Sequence, residues 1–203
     1  PAFSLGSKQV YGNFAYVVLG RMVEVLSGQD YETYIRQNIL EPAGTIHAGF
    51  VDCADSAPDI AVGYARTNGQ EVSNCQTQPT RGFPAGGQLS TASDMLRFVE
   101  ALRSGKLLPP QLFADAITPQ REFMGLGFFA TGYGPDVPKR DFRWGHGGSA
   151  DGVCTDVRTY PATGETIVIL SNREAPACFS VANFLHKQWS ASNPIKPAEP
   201  AKP

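Results

Sequence analysis

Long apolar runs are missing from this 203-residue chain. The longest, such as Ile167-Val168-Ile169-Leu170, fall far short of the ~20 residues that a membrane-spanning helix needs, so no segment crosses a bilayer as a helix. Positive charge is not in excess either. With 17 Lys and Arg against 19 Asp and Glu, a net charge of -2 and no basic stripe, the chain has no electrostatic reason to bind nucleic acid or an anionic membrane surface. No Cys-x-x-Cys occurs, and His47, His146 and His186 do not stand at zinc-ligand intervals, so neither a metal site nor a cofactor is expected. Cys53, Cys75, Cys154 and Cys178 permit three disulfide pairings. Cys53 with Cys75, bracketing an Asn/Gln-rich loop, is the first choice, and buried free thiols are the alternative. Residue 1 is proline and no charged-then-apolar leader follows, so a processed product or a piece of something longer is expected.

What remains is an ordinary globular composition, 42% hydrophobic, with residues enough for one large domain or two small ones. Over residues 14–26 the apolar positions Val18, Leu19, Met22, Val25 and Leu26 recur at three- and four-residue steps, and Ser27-Gly28 supplies a stop. That pattern predicts a helix entered from Tyr11-Gly12-Asn13. Asp30 then caps a second helix carrying Tyr31, Tyr34, Ile35 and Ile39, which Pro42 and Gly44 terminate. Residues 45–89 hold much Gly, Asn, Gln, Thr and Pro with little periodicity and read as an irregular surface excursion, of a length that is often functional. Thr91 with Asp94 resembles a capping box ahead of an apolar face of Met95, Leu96, Phe98, Val99 and Leu102. Beyond Pro119, residues 126–133, 142–147, 153–160 and 166–170 read as strands, with 161–164 as a hairpin connection. Residues 177–189 read as a helix over one face of that sheet, and 191–203 as a Pro-rich tail. The fold class is therefore α+β. A mostly helical region spans residues 1–122 with its long loop, and an antiparallel sheet with a C-terminal helix spans 123–190.

Four short segments invite a chemical reading. "RWGHGGSADG" sets His146 among glycines at the end of a strand, where Gly147 and Gly148 let a ligand or a second backbone approach closely. The plain alternative is a bend there with His146 an ordinary partly buried side chain. Ser149 is not in a nucleophile elbow, because Gly147-Gly148-Ser149-Ala150-Asp151 lacks the closing glycine and strand-like sequence follows it. Gly125-Leu126-Gly127-Phe128-Phe129-Ala130 matches a dinucleotide-loop string, but no helix follows on which a pyrophosphate could sit. Tyr11 and Asn13 lie two apart and can face one cleft at a helix start. A phenol serves as a base only when a neighbouring cation lowers its pKa from about 10. Otherwise Asn13 is a helix N-cap and Tyr11 a core residue.

In combination, "YGNFAYVVLG", "FPAGGQLSTASDMLRFVEAL" and "WGHGGSADGVCTDVRTYPATGETIVILSN" resemble the serine β-lactamase and penicillin-binding protein superfamily, in its class C-like branch of esterases and D-amino-acid peptidases. The resemblance covers about residues 5 to 190. Tyr11-Gly12-Asn13 matches its Tyr-x-Asn motif, and His146-Gly147-Gly148 its Lys/His-Ser/Thr/Gly-Gly motif on a sheet-edge strand. The fold implied is β-lactamase/transpeptidase-like, here with an incomplete antiparallel sheet. The resemblance also implies acyl-enzyme hydrolysis of an ester, amide, peptide or β-lactam and an exported protein, periplasmic or secreted. Tyr11 would shuttle the proton, Asn13 would hold the substrate amide, and the Ser149 N–H would be an oxyanion donor. His146, Gly147 and Gly148 would line the substrate site. The family's Ser-x-x-Lys nucleophile is absent, since no serine here has lysine three residues later. This chain therefore reads as a C-terminal portion that is inactive alone. Its expected partners are a small-molecule or peptide substrate, a second copy, or a separate N-terminal segment. The competing expectation is a pseudo-enzyme that holds a peptide or glycan in the same cleft. Histidine in place of lysine weakens carboxylate selection and tilts the substrate toward esters and amides.

Overall fold

The computed structural model describes residues 3–192 except Leu5, 53–58, Gln78, Thr80, Asp136 and Pro138. Helix α1 (Asn13–Ser27) starts at an extended Gly12 and ends at Gly28, whose left-handed backbone lets its N–H reach the Glu24 carbonyl. Gly12, not Asn13, is the N-cap, because Asn13 already has helical backbone and Gly12 makes no side-chain cap. Asp30 caps α2 (Tyr31–Ile35), accepting from the Thr33 N–H. The helix does not stop at Pro42 as the sequence suggested. It widens into a π segment (Arg36–Leu40) and runs through α3 (Glu41–Ala43), which takes in Pro42. Gly44 ends it in the left-handed region.

The excursion over residues 45–89 is more ordered than its composition suggested. Strands β1 (Tyr64–Thr67) and β2 (Gln70–Ser73) pair antiparallel across Asn68-Gly69, both with positive φ, as a two-residue hairpin turn of the primed type requires. Gly49 and Leu89 exchange two backbone hydrogen bonds and pin the excursion's ends together. The Cys53 end of the first-choice disulfide lies outside the described residues. The other two cysteines form a bridge, Cys154–Cys178, which is fully buried.

Helix α4 (Ala92–Arg103) opens with the Thr91 side chain accepting from the Asp94 N–H. The box is only half closed, since the buried Asp94 carboxylate turns away to accept from Ile46 N–H at 3.1 Å, His47 N–H at 2.6 Å and Arg97 at 2.6 Å. Burial opposes the charged form, but those two N–H groups and the guanidinium outweigh it and hold the carboxyl below its ordinary value. Helix α5 (Pro110–Ala116) follows, unforeseen in the sequence.

Four strands then form one antiparallel sheet in the order β3 (Phe129–Thr131), β4 (Arg143–Ala150), β5 (Val153–Thr159) and β6 (Thr166–Ser171). Strand β3 is much shorter than its apolar run. On one face Trp144 meets Val99 and Leu102 of α4, edge-to-face with Phe113 at 5.1 Å and Phe128 at 5.3 Å. On the other, α6 (Ala177–Ser192) lies over β5 and β6. The Cys154–Cys178 bridge, Arg158 donating to Asn183, and Tyr160 bonded to His186 at 2.8 Å hold it there. The period-2 alternation of β5 explains the division, with Cys154, Asp156 and Arg158 on the α6 side and Val157 toward α4 and α5. No helix among the described residues is long and apolar enough to cross a membrane.

Candidate functional site

Strand β4 carries the glycine-rich segment and is asymmetrically partnered. Strand β5 pairs with it from Trp144 to Ala150, whereas β3 pairs only with Arg143, Trp144 and Gly145. Among the described residues, the stretch from His146 to Ala150 therefore has one edge without a strand partner. In an antiparallel strand every second residue turns its N–H and C=O to such an edge, which is what a polar ligand backbone or a developing oxyanion can use.

The two glycines of this stretch are not equivalent. A Cβ at Gly147 would lie 2.9 Å from Phe179 of α6 and 3.1 Å from the Thr155 carbonyl, so packing beneath the strand demands glycine there. At Gly148 the nearest atom, the Thr155 hydroxyl, is 3.8 Å away, and a side chain would fit. Ser149 has its hydroxyl fully engaged, donating to the Val153 carbonyl at 3.1 Å and accepting from Ala175 N–H at 3.0 Å. It staples the β4–β5 hairpin to the start of α6, which fits a contribution from its backbone rather than from its Oγ.

His146 is half-buried, and its ring stacks on Phe129 with centroids 4.2 Å apart and planes 19° from parallel. Burial lowers its pKa below the ordinary 6.5, against the opposing pull of the Gly147 backbone and of Asp156. The imidazole is consequently neutral at pH 7. Beside it lies a crevice of about 150 Å³ lined by Thr131, Arg143, Asp156, Arg158 and Phe179. Arg158 and Asp156 are ion-paired there at 2.6 Å.

Tyr11 and Asn13 stand at the start of α1, both exposed, with Tyr11 58% accessible. Neither lines the crevice beside His146. The nearest lysine in sequence, Lys8, places its ammonium 4.9 Å over the Phe3 ring rather than at the Tyr11 hydroxyl. Most of α1 is bare. Phe14, Val18, Leu19, Met22, Val25 and Leu26 are exposed, and Gly20 alone is fully buried, against Pro84 and Tyr31. Phe129 was not a site candidate in the sequence, because its pairing with His146 depends on strand register, which no local signal reveals. Among the described residues no group of three His, Cys, Asp or Glu is placed to hold a metal ion.

The family model Beta-lactamase matches residues 1–188. PbpX of Bacillus subtilis (strain 168), named as a penicillin-binding protein, is 33% identical over 120 residues, 59% of this chain and 31% of that one. A penicillin binding protein from Bacillus halodurans superposes with a TM-score of 0.82 at 24% identity, over 92% of this chain and 58% of that one. A D-stereospecific amidohydrolase from Streptomyces sp. superposes at 0.68 and 22% identity, over 86% and 53%. The chain thus spans between about a third and three fifths of the length of these relatives.

Proposed function

This chain belongs to the Beta-lactamase family, and from that premise we propose that it is part of a serine hydrolase that cleaves an ester, amide or peptide through an acyl-enzyme. The observation that carries this reading is the unpartnered edge of β4 from His146 to Ala150, next to a neutral imidazole. In the proposed mechanism a serine attacks the substrate carbonyl and the Ser149 N–H stabilises the oxyanion. Tyr11 carries the serine proton to the leaving group, and water then hydrolyses the acyl-enzyme. Asn13 holds the substrate's amide, and Gly147 and Gly148 let its backbone lie along the strand.

The nucleophile and the cation that would activate Tyr11 are supplied, in this proposal, from outside these 203 residues, because no Ser-x-x-Lys occurs within them. The 203 residues alone are then catalytically silent. Covalent labelling of this chain by a fluorescent penicillin or a phosphonate probe would refute that. For the whole protein, hydrolysis of a p-nitrophenyl ester should exceed that of a chromogenic cephalosporin, since a neutral His146 offers no fixed cation to a carboxylate. A strong preference for the cephalosporin would reverse the ordering. A whole protein that lacks Ser-x-x-Lys would instead be a binding module using the same edge.

Two further features belong to the proposal. The Cys154–Cys178 disulfide supports an exported, periplasmic or secreted, protein. The bare apolar face of α1 supports association, either with a second copy or with an N-terminal segment. Light scattering that shows a well-behaved monomer of the 203 residues would argue against self-association.

A further inference from the structure

Phe129 belongs to neither the Tyr-x-Asn nor the His-Gly-Gly motif, yet it makes the closest ring contact that His146 has. The two rings are nearly parallel at 4.2 Å, and Phe129 reaches His146 from β3, the strand that stops pairing just where the open edge of β4 begins. Phe129 also packs edge-to-face with Phe123 at 5.6 Å. An apolar ring on one imidazole face removes water from that face and restrains the ring plane.

Resting on the hydrolase reading above, we propose that Phe129 is the positioning residue of the His146 motif: it restrains the plane of the imidazole and shuts one of its faces off from water, and so selects substrates that present an uncharged hydrogen-bonding group at this position. Charged groups of β4 and β5 line the crevice beside the imidazole. Asp156 on β5 favours the imidazolium but is ion-paired with Arg158 at 2.6 Å. Arg143 on β4 lines the same crevice. Helix α6 contributes only the uncharged Phe179 to it. Burial outweighs the pull of Asp156 and of the Gly147 backbone, and in this proposal the stacked Phe129 ring supplies the part of that burial which a single substitution can remove.

The test is a proton NMR titration of His146 in the whole protein, which requires no turnover and so stands or falls separately from the hydrolase assignment. In the unmodified protein the His146 ring protons should show an upfield ring-current shift from Phe129. In Phe129→Ala the midpoint should rise toward the ordinary 6.5. Phe129→Tyr should restore the original midpoint, and Phe129→Leu should keep it low while abolishing the ring-current shift. Where the whole protein turns over esters, Phe129→Ala should also shift the acid limb of the pH–rate profile upward and narrow the preference for a neutral ester over its carboxylate-bearing counterpart. An absent ring-current shift in the unmodified protein overturns the proposal even if the alanine variant does not fold. So does a midpoint that is unchanged or lower in Phe129→Ala, the latter because it would make the ring a stabiliser of the imidazolium.

Discussion

Helices α1 and α4 are both rich in apolar residues, and the structure treats them in opposite ways. Helix α4 has one apolar stripe, and that stripe is spent on Trp144 and the aromatic cluster around it, with Val99 and Leu102 almost fully buried. Helix α1 has a broad apolar face, with the ion-paired Arg21 and Glu24 off it, and buries only Gly20 completely. An amphipathic helix needs one partner surface, which α4 finds within these residues, whereas the described residues leave the apolar face of α1 open. The contrast locates this chain's stability in the α4–sheet–α6 half, and the proposed need for a partner in α1.

The largest effect should come from the stable half. Leu102→Ala should cost about 2–5 kcal/mol, read by chemical denaturation, because it leaves a cavity beside Trp144. Removing the Cys154–Cys178 bridge should cost about 2–4 kcal/mol, read as a lower denaturation midpoint for the double serine variant. Asp94→Asn should cost about 1–3 kcal/mol, since the amide satisfies the Ile46 and His47 N–H groups less well and loses the charge facing Arg97. The folded pKa of Asp94 is depressed, so its contribution is fully present above the ordinary 3.8 and lost as pH falls through the lower folded value. The difference between wild type and Asp94→Asn should accordingly vanish in strong acid. Gly147→Ala should cost about 1–3 kcal/mol and Gly148→Ala distinctly less, because only the first drives a Cβ into Phe179. The smallest effect should be Leu26→Ala, within ~0.5 kcal/mol in these 203 residues. If the same substitution costs several times more in the whole protein, the α1 face is covered there and the contrast between the helices is a contrast between fragment and whole.

Much of the fold was legible because its signals are local. The apolar steps of α1 with Gly28 behind them, the Thr91 cap, and the short apolar or β-branched runs of β4 to β6 between turn residues each specify an element without long-range information. The hairpin of β1 and β2 was missed because Gln70-Glu71-Val72-Ser73 offers hardly any apolar alternation. Asn68-Gly69, the strongest short hairpin signal, lay unread within it. Helix α5 was announced only by Pro110 at its first position. At the site, the glycines and His146 could be picked out by type. That Gly147 answers to Phe179, that the Ser149 hydroxyl is already spent on Val153 and Ala175, and that Phe129 covers His146 all depend on register and on helix placement, which spacing along the chain does not encode.

Gly20 is the one point at which α1 is held tightly, with the Pro84 ring lying where a side chain would otherwise be, 2.2 Å from an added Cβ. In terms of sequence drift, positions 20 and 84 share a single volume and cannot change independently. Alanine can enter at 20 only after position 84 has lost its ring, and a lineage that makes the changes in the other order passes through a form with the helix pushed off its loop. Gly20→Ala paired with Pro84→Gly would show whether the two losses cancel.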